Sequence, residues 1–180
     1  HPGGAHFCNV DGSERKKLAK GAMPKWSPNG ELVAYQDYDG MTGTAVMKAD
    51  GSGIEQIAKK AGNPNWMDIG HIALLDWGRR NLRLVDLESG VESKMSQGPI
   101  GDIQHGYAIS PDGKQMCFVD GTGKNARLLV LPTDDSERPR ILHRGELRSG
   151  LNWHPLGKQI VFAEGAEQAQ AGGQLAQLYV

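Results

Sequence analysis

One short pattern returns four times along the chain. "PKWSPNG" at 24–30, "PNWMDIG" at 64–70, "YAISPDG" at 107–113 and "LNWHPLG" at 151–157 align on Trp26, Trp66, Ile109 and Trp153, which lie 40, 43 and 44 residues apart. Each anchor precedes a short apolar run: "LVAY", "HIALL", "QMCFV" and "QIVFA". Continuous apolar character without strict alternation marks a strand covered on both faces. Next come "TAVMKAD", "NLRLVDL", "ARLLVLP" and "QLAQLYV", and in the first three units a fourth segment follows, "IEQIAKK", "VESKMSQ" or "PRILHRG". The complete unit is therefore four short strands. Abundant glycine, 25 residues, and few aromatics suit short strands joined by tight turns.

Inside the repeat, Pro28, Asn29 and Gly30 have the chemistry of a tight turn, and Pro111, Asp112 and Gly113 repeat it. Proline presets its own dihedral, asparagine tolerates unusual backbone angles and glycine supplies positive φ. Trp26 stands on the strand before this turn, where a large ring can fill a wedge between adjacent sheets. "WSPNG" thus reads as a hairpin with a packing wedge, scaffold in preference to active site. Lys25, Asn65 and Asn152, each beside an anchor tryptophan, read as groups that hydrogen-bond a neighbouring sheet.

A period of this length is that of propeller blades, in which each sheet hides its faces against the next. The expected class is all-β: a β-propeller of four-stranded antiparallel blades, with about four repeats, near 5–43, 44–80, 81–125 and 126–173, and a final strand at 174–180. The phase is uneven. "AHFCNV" and "ERKKLAK" read as the two outer strands of a blade, three complete blades follow, and three strands end the chain, 17 in all where a closed ring of four needs 16. Three explanations stay open: a part of a larger ring, a four-bladed ring with one surplus strand, or two chains sharing the broken blade. Open sheet edges and a tryptophan-lined face invite the last, a homo-oligomer.

Composition removes some partners. The formal net charge is -1, so no overall field would hold nucleic acid. No apolar run is long enough for a membrane span, and "HPGGAHFCNV" lacks signal-peptide order. His1 in place of methionine reads as a processed protein or a piece of one. Cys8 and Cys117 lie far apart without metal or redox spacing, and read as buried small apolar residues.

The stretch "PKWSPNGELVAYQ" followed by "TAVMKADGSGIEQIAKK" resembles the propeller repeat of TolB and its relatives, a group related to the propellers of prolyl peptidases and oligogalacturonate lyases. The resemblance covers almost the whole chain. It is weaker at "NPNWMDIG", which lacks the Ser-Pro step, and at "NWHPLG", where His154 replaces serine. It implies a six-bladed parent ring, protein binding, and an extracytoplasmic home in the bacterial envelope.

Function belongs to the loops that a propeller gathers at one end. In this chain "DYDGMTG", "WGRR", "DGTGKN" and "EGAEQAQAGG" vary most, and Arg79, Arg80, His105 and Lys124 are the candidate binding residues for a protein or peptide partner. No catalytic residue, metal ligand set or cofactor motif emerges: Gly-x-Ser-x-Gly and His-Glu-x-x-His are missing, and "GTGKN" is a turn, not a phosphate loop. His105 alone falls where the resembling lyases hold a metal, and one histidine makes a poor site. The alternatives are an enzyme's propeller domain, either peptidase-accessory or lyase-like, and a self-assembling propeller fragment.

Overall fold

The computed structural model describes residues 4–38, 42–78, 81–95, 103–134, 136–148, 150–165 and 176–179, with backbone alone at 104, 105 and 176–179. Strands β1 (Ala5–Phe7) and β2 (Lys16–Ala19) form a two-stranded antiparallel sheet. Three four-stranded sheets follow in chain order. The first is β3 (Gly21–Trp26), β4 (Leu32–Asp37), β5 (Gly43–Lys48) and β6 (Glu55–Lys59). The second is β7 (Ala61–Trp66), β8 (His71–Asp76), β9 (Leu82–Asp86) and β10 (Glu92–Lys94). The third is β11 (Ile103–Ile109), β12 (Gln115–Asp120), β13 (Ala126–Pro132) and β14 (Arg140–Gly145). A three-stranded sheet ends the chain: β15 (Asn152–Trp153), β16 (Ile160–Gly165) and β17 (Ala176–Tyr179). The only described helical piece is a 3-10 turn, Gly123–Asn125. The strand grouping is the one the repeat implies. The chain forms two compact units, one holding β1 to β10 and the other β11 to β17.

Turn chemistry explains why each repeat folds locally. Ser27 is buried; its Oγ donates to Asn29 Oδ1 at 2.8 Å and accepts the Leu32 N–H at 2.9 Å, while Gly30 takes φ 74. Ser110, Asp112, Gln115 and Gly113 reproduce the arrangement. Where the serine is replaced, another acceptor takes over: Asp68 Oδ1 accepts the Gly70 and His71 N–H groups, and His154 Nδ1 accepts the Leu156 N–H. The repeated "WSPNG" is thus a backbone clamp, and its tolerated variants keep the acceptor. The outer hairpins have their own device. Asp11, Asp50, Asp86 and Asp134 each accept backbone N–H groups two or three residues on, in Asx turns.

The apolar runs serve two faces at once. In β4, Val33 and Tyr35 join Ala45, Met47 and Ala5 in one core cluster, with Leu18 and Ala19 packed against it. Ala34, between them, belongs with Val46, Ala58, Ile72, Leu74 and Val85 to the cluster on the opposite face. Successive side chains of a strand point to opposite faces, so a sheet covered on both sides needs apolar residues at every step. In the other unit, Cys117, Val119 and Leu128 form the core against Leu151, Trp153, Ile160 and Phe162.

Three expectations are corrected. Cys8 is exposed, because it follows a β1 of only three residues, while Cys117 is buried and burial pushes its thiol up to about 12. Lys25, Asn65 and Asn152 do not reach a neighbouring sheet with their side chains. Asn65 Nδ2 donates to the Asn63 carbonyl and Asn152 Oδ1 accepts the Trp153 N–H, whereas Lys25 contributes its main-chain carbonyl. Finally, Trp66 and Trp153 pack between sheets, but Trp26 is 53% exposed. Next to its sheet, side chains of β1 and β2 pack with Val33, Tyr35, Ala45 and Met47, and the Trp26 ring is left outside that cluster.

Candidate interface at the loop ends of the sheets

Strand register defines a common loop end. Gly21, Asp37, Gly43 and Lys59 stand opposite one another across the first full sheet, so the connections after β4 and β6 emerge together. Ile103, Asp120 and Arg127 do the same in the third. The row is closely built. A Cβ on Gly43 would run into the Ala58 carbonyl, and one on Gly21 into the Gln36 carbonyl.

An acidic residue closes the second strand of each four-stranded sheet, Asp37, Asp76 and Asp120, and Glu164 stands next to the end of β16. Asp37 is buried; Arg83 Nε meets Asp76 at 2.5 Å, Arg127 pairs with Asp120, and His143 Nε2 lies 3.2 Å from Glu164. Arg83 also reaches Glu92 at 2.5 Å and the Lys59 carbonyl at 2.7 Å, tying its own sheet to the preceding one. These carboxylates are bound into the scaffold. The signal was in the sequence, one or two residues beyond each apolar run.

The residue after the acid is aromatic in two adjacent sheets. Tyr38 is 56% exposed and Trp77 47%, and each is fixed by its backbone: Tyr38 N–H donates to the Lys20 carbonyl at 3.2 Å, Trp77 N–H to the Lys60 carbonyl at 3.0 Å. Lys20, Lys59 and Lys60 are exposed around them. Adjacent sheets are themselves locked at this end, since Thr44 Oγ1 donates to the Ala61 carbonyl at 2.9 Å in a buried position. The result is a pair of exposed aromatic side chains on a backbone fixed by hydrogen bonds, with lysines nearby. Such surfaces suit protein or peptide recognition, because aromatics offer large contact area at low entropic cost.

The inner strands share an irregularity. Met23, Asn63, Gly106 and Gly150, each three residues before an anchor, all have positive φ, at 54, 51, 89 and 113°. The pairing register shifts there in β3, β7 and β11. Positive φ is uncommon for methionine and marks a deliberate bulge.

Of the residues chosen from the sequence, Arg79 and Arg80 lie outside the described residues. His105 stands on β11 immediately before the Gly106 bulge, with its side chain outside the described set. Lys124 is exposed in the 3-10 turn between β12 and β13. His105 is on the first strand of the third full sheet, and Lys124 is on the connection between that sheet's second and third strands. Sequence reasoning missed Tyr38 and Trp77, whose signal was an aromatic directly after the acidic strand end. Among the described residues no three His, Cys, Asp or Glu side chains gather to hold a metal, and no helix is long and apolar enough to cross a membrane.

No known family profile matches the chain. Solved structures do. A protein assigned as TolB from Agrobacterium tumefaciens matches over 98% of this chain and 70% of its own, at TM-score 0.73 and 18% identity. Oligogalacturonate lyase from Vibrio parahaemolyticus matches over 94% of this chain and 55% of its own, at 0.64 and 12%. A puromycin-hydrolyzing peptidase from Mycobacterium tuberculosis matches over 87% of this chain and 28% of its own, at 0.66 and 21%. The chain thus spans about half of the lyase and under a third of the peptidase. Its sheets have the fold of a TolB-type β-propeller, present here as three complete four-stranded blades with a two-stranded and a three-stranded sheet at its ends.

Proposed function

We propose that this chain is a non-catalytic propeller scaffold that presents its loop ends to a protein or peptide partner. The observation that carries the reading is the pair Tyr38 and Trp77: exposed, at equivalent positions of adjacent sheets, and held by backbone bonds to Lys20 and Lys60. Exposed aromatic anchors beside lysines favour an extended segment carrying apolar side chains and some negative charge. An extracytoplasmic bacterial location belongs to the same proposal and rests on the TolB resemblance.

The test is panning of a displayed peptide library on the immobilised full chain, followed by affinity measurement on enriched peptides. Tyr38→Ala with Trp77→Ala should weaken binding at least about tenfold, roughly 1.4 kcal/mol, with an unchanged melting temperature. Ile69→Ala, an exposed apolar residue in the tight turn between β7 and β8, should bind as the parent does. Peptides that bind both variants equally, or no enrichment at all, would overturn the reading.

A further inference from the structure

Each four-stranded sheet ends on an outer strand, and that of the third sheet differs from the other two. β14 is last in the order β11-β12-β13-β14 and pairs, among the described residues, with β13 alone. Every second residue of such a strand turns its N–H and C=O groups away from its partner, where another chain can pair with them. In β6 the charges are mixed, Glu55 and Lys59, and in β10 Glu92 is already held by Arg83. The stretch around β14 carries four arginines, Arg138, Arg140, Arg144 and Arg148, against Glu137 and Glu146. Arg148 is paired with Glu146. The other three are exposed, and none makes an ion pair with a described carboxylate.

Ile141 and Leu142 lie between Arg140 and Arg144 and are exposed as well. The register sets Arg140 opposite Val130, Ile141 opposite Leu129 and Arg144 opposite Arg127, with a shift that leaves Leu142 as the extra residue of a bulge. Arg127 is paired with Asp120, so Arg144 meets only another cation across the strand pair. Pro139 on one side and the bulge within the strand deter a long, flat partner. What they leave is a short edge, 140–144, cationic at both ends and apolar between.

We propose that this edge takes up a short extended segment of a partner protein as a fifth strand, with one carboxylate side chain towards Arg140, another towards Arg144 and an apolar side chain towards Ile141. Main-chain pairing supplies affinity, and the flanking charges select the segment. A second copy of β14 is disfavoured in the same place by its own charge. Paired antiparallel about Leu142, Arg140 of one copy would stand opposite Arg144 of the other, and like charges directly opposite destabilise a sheet. A flexible polyanion would satisfy the arginines but leave the edge groups and Ile141 unused. The inference concerns the outer edge of one sheet and is independent of the loop-end reading.

The experiment follows fluorescence anisotropy of a labelled, end-blocked peptide, Glu-Val-Thr-Val-Glu, titrated with the full chain. Saturable binding at about 100 µM or tighter is expected, weakening as salt is raised. Arg140→Glu with Arg144→Glu should weaken it at least about tenfold, whereas Lys114→Glu with Lys158→Glu, the same change of charge at exposed residues of the turns before β12 and β16, should not. Arg144→Gln gives a milder variant should the double reversal misfold. Two further peptides, N-methylated on one or the other alternate set of amides, carry equal charge, and only the set that faces away from β14 should still bind. Bound peptide should also slow amide exchange within 140–144, read by NMR. Three results would overturn the proposal: no saturable binding, equal binding by the arginine variants and the parent, or equal binding of both N-methylated peptides, which is the signature of charge attraction alone.

Discussion

Replacing Trp153 with phenylalanine separates the hydrogen bond of the ring from its bulk. The ring is half-buried against Ala108, Cys117 and Leu128, and its Nε1 donates to the Ala108 carbonyl at 3.1 Å. Phenylalanine retains much of the apolar contact. The lost bond costs about 1 kcal/mol, rising to about 2 if the Ala108 carbonyl is left without water. Trp153→Ala also removes the packing and should cost about 3 kcal/mol, the low end for a large aromatic because the site is only half-buried. Trp26 is the internal control: exposed and without this bond, it should tolerate phenylalanine within about 0.5 kcal/mol. Urea unfolding followed by circular dichroism measures all three. Equal costs for Trp153→Phe and Trp26→Phe would refute the claim that the indole bond joins neighbouring sheets.

Two more outcomes follow from the turns and the close-packed row. Gly43→Ala would drive a Cβ into the Ala58 carbonyl, so β5 and β6 must move apart and the melting midpoint should fall as for a loss above about 2 kcal/mol; an unchanged midpoint would contradict the register. Acid should also destabilise the protein. Asp50, Asp112 and Asp134 are held below their ordinary 3.8 chiefly by hydrogen bonds from Ser52, Ser110 and Ser136 side chains, and Asp86 chiefly by the Ser89 N–H. A carboxyl whose folded value is lowered contributes fully above its unfolded value, and loses that contribution as pH falls through the folded one. The urea midpoint should therefore be flat above about pH 5 and decline below about pH 4, less steeply in Asp112→Asn; a midpoint constant down to about pH 3 would exclude these turns as stabilising elements.

Strand grouping was legible because its causes are local. Pro-Asn-Gly and Asp-x-Ser steps dictate turns wherever they occur, and the run "LVAY" already implies two covered faces, as Val33 and Ala34 demonstrate by joining different clusters. The exposure of Trp26 was not legible, since it holds the same anchor position as Trp66 and its exposure depends on what packs beside its sheet. Met23 at positive φ was equally hidden: nothing in a methionine announces it, although Gly106 and Gly150 at the matching positions were a hint. The candidate site was the least readable part. Attention went to the charged Arg79 and Arg80, while Tyr38 and Trp77 owe their significance to backbone bonds with Lys20 and Lys60 that join residues 18 and 17 positions apart.

Hydrogen exchange at the indole nitrogens, read by nitrogen-15 NMR, bears most directly on how these sheets hold together. Trp66 and Trp153 should exchange slowly, each donating to the inner strand of a neighbouring sheet, while Trp26 exchanges at the rate of a solvated ring. Uniformly fast exchange at all three would contradict the account.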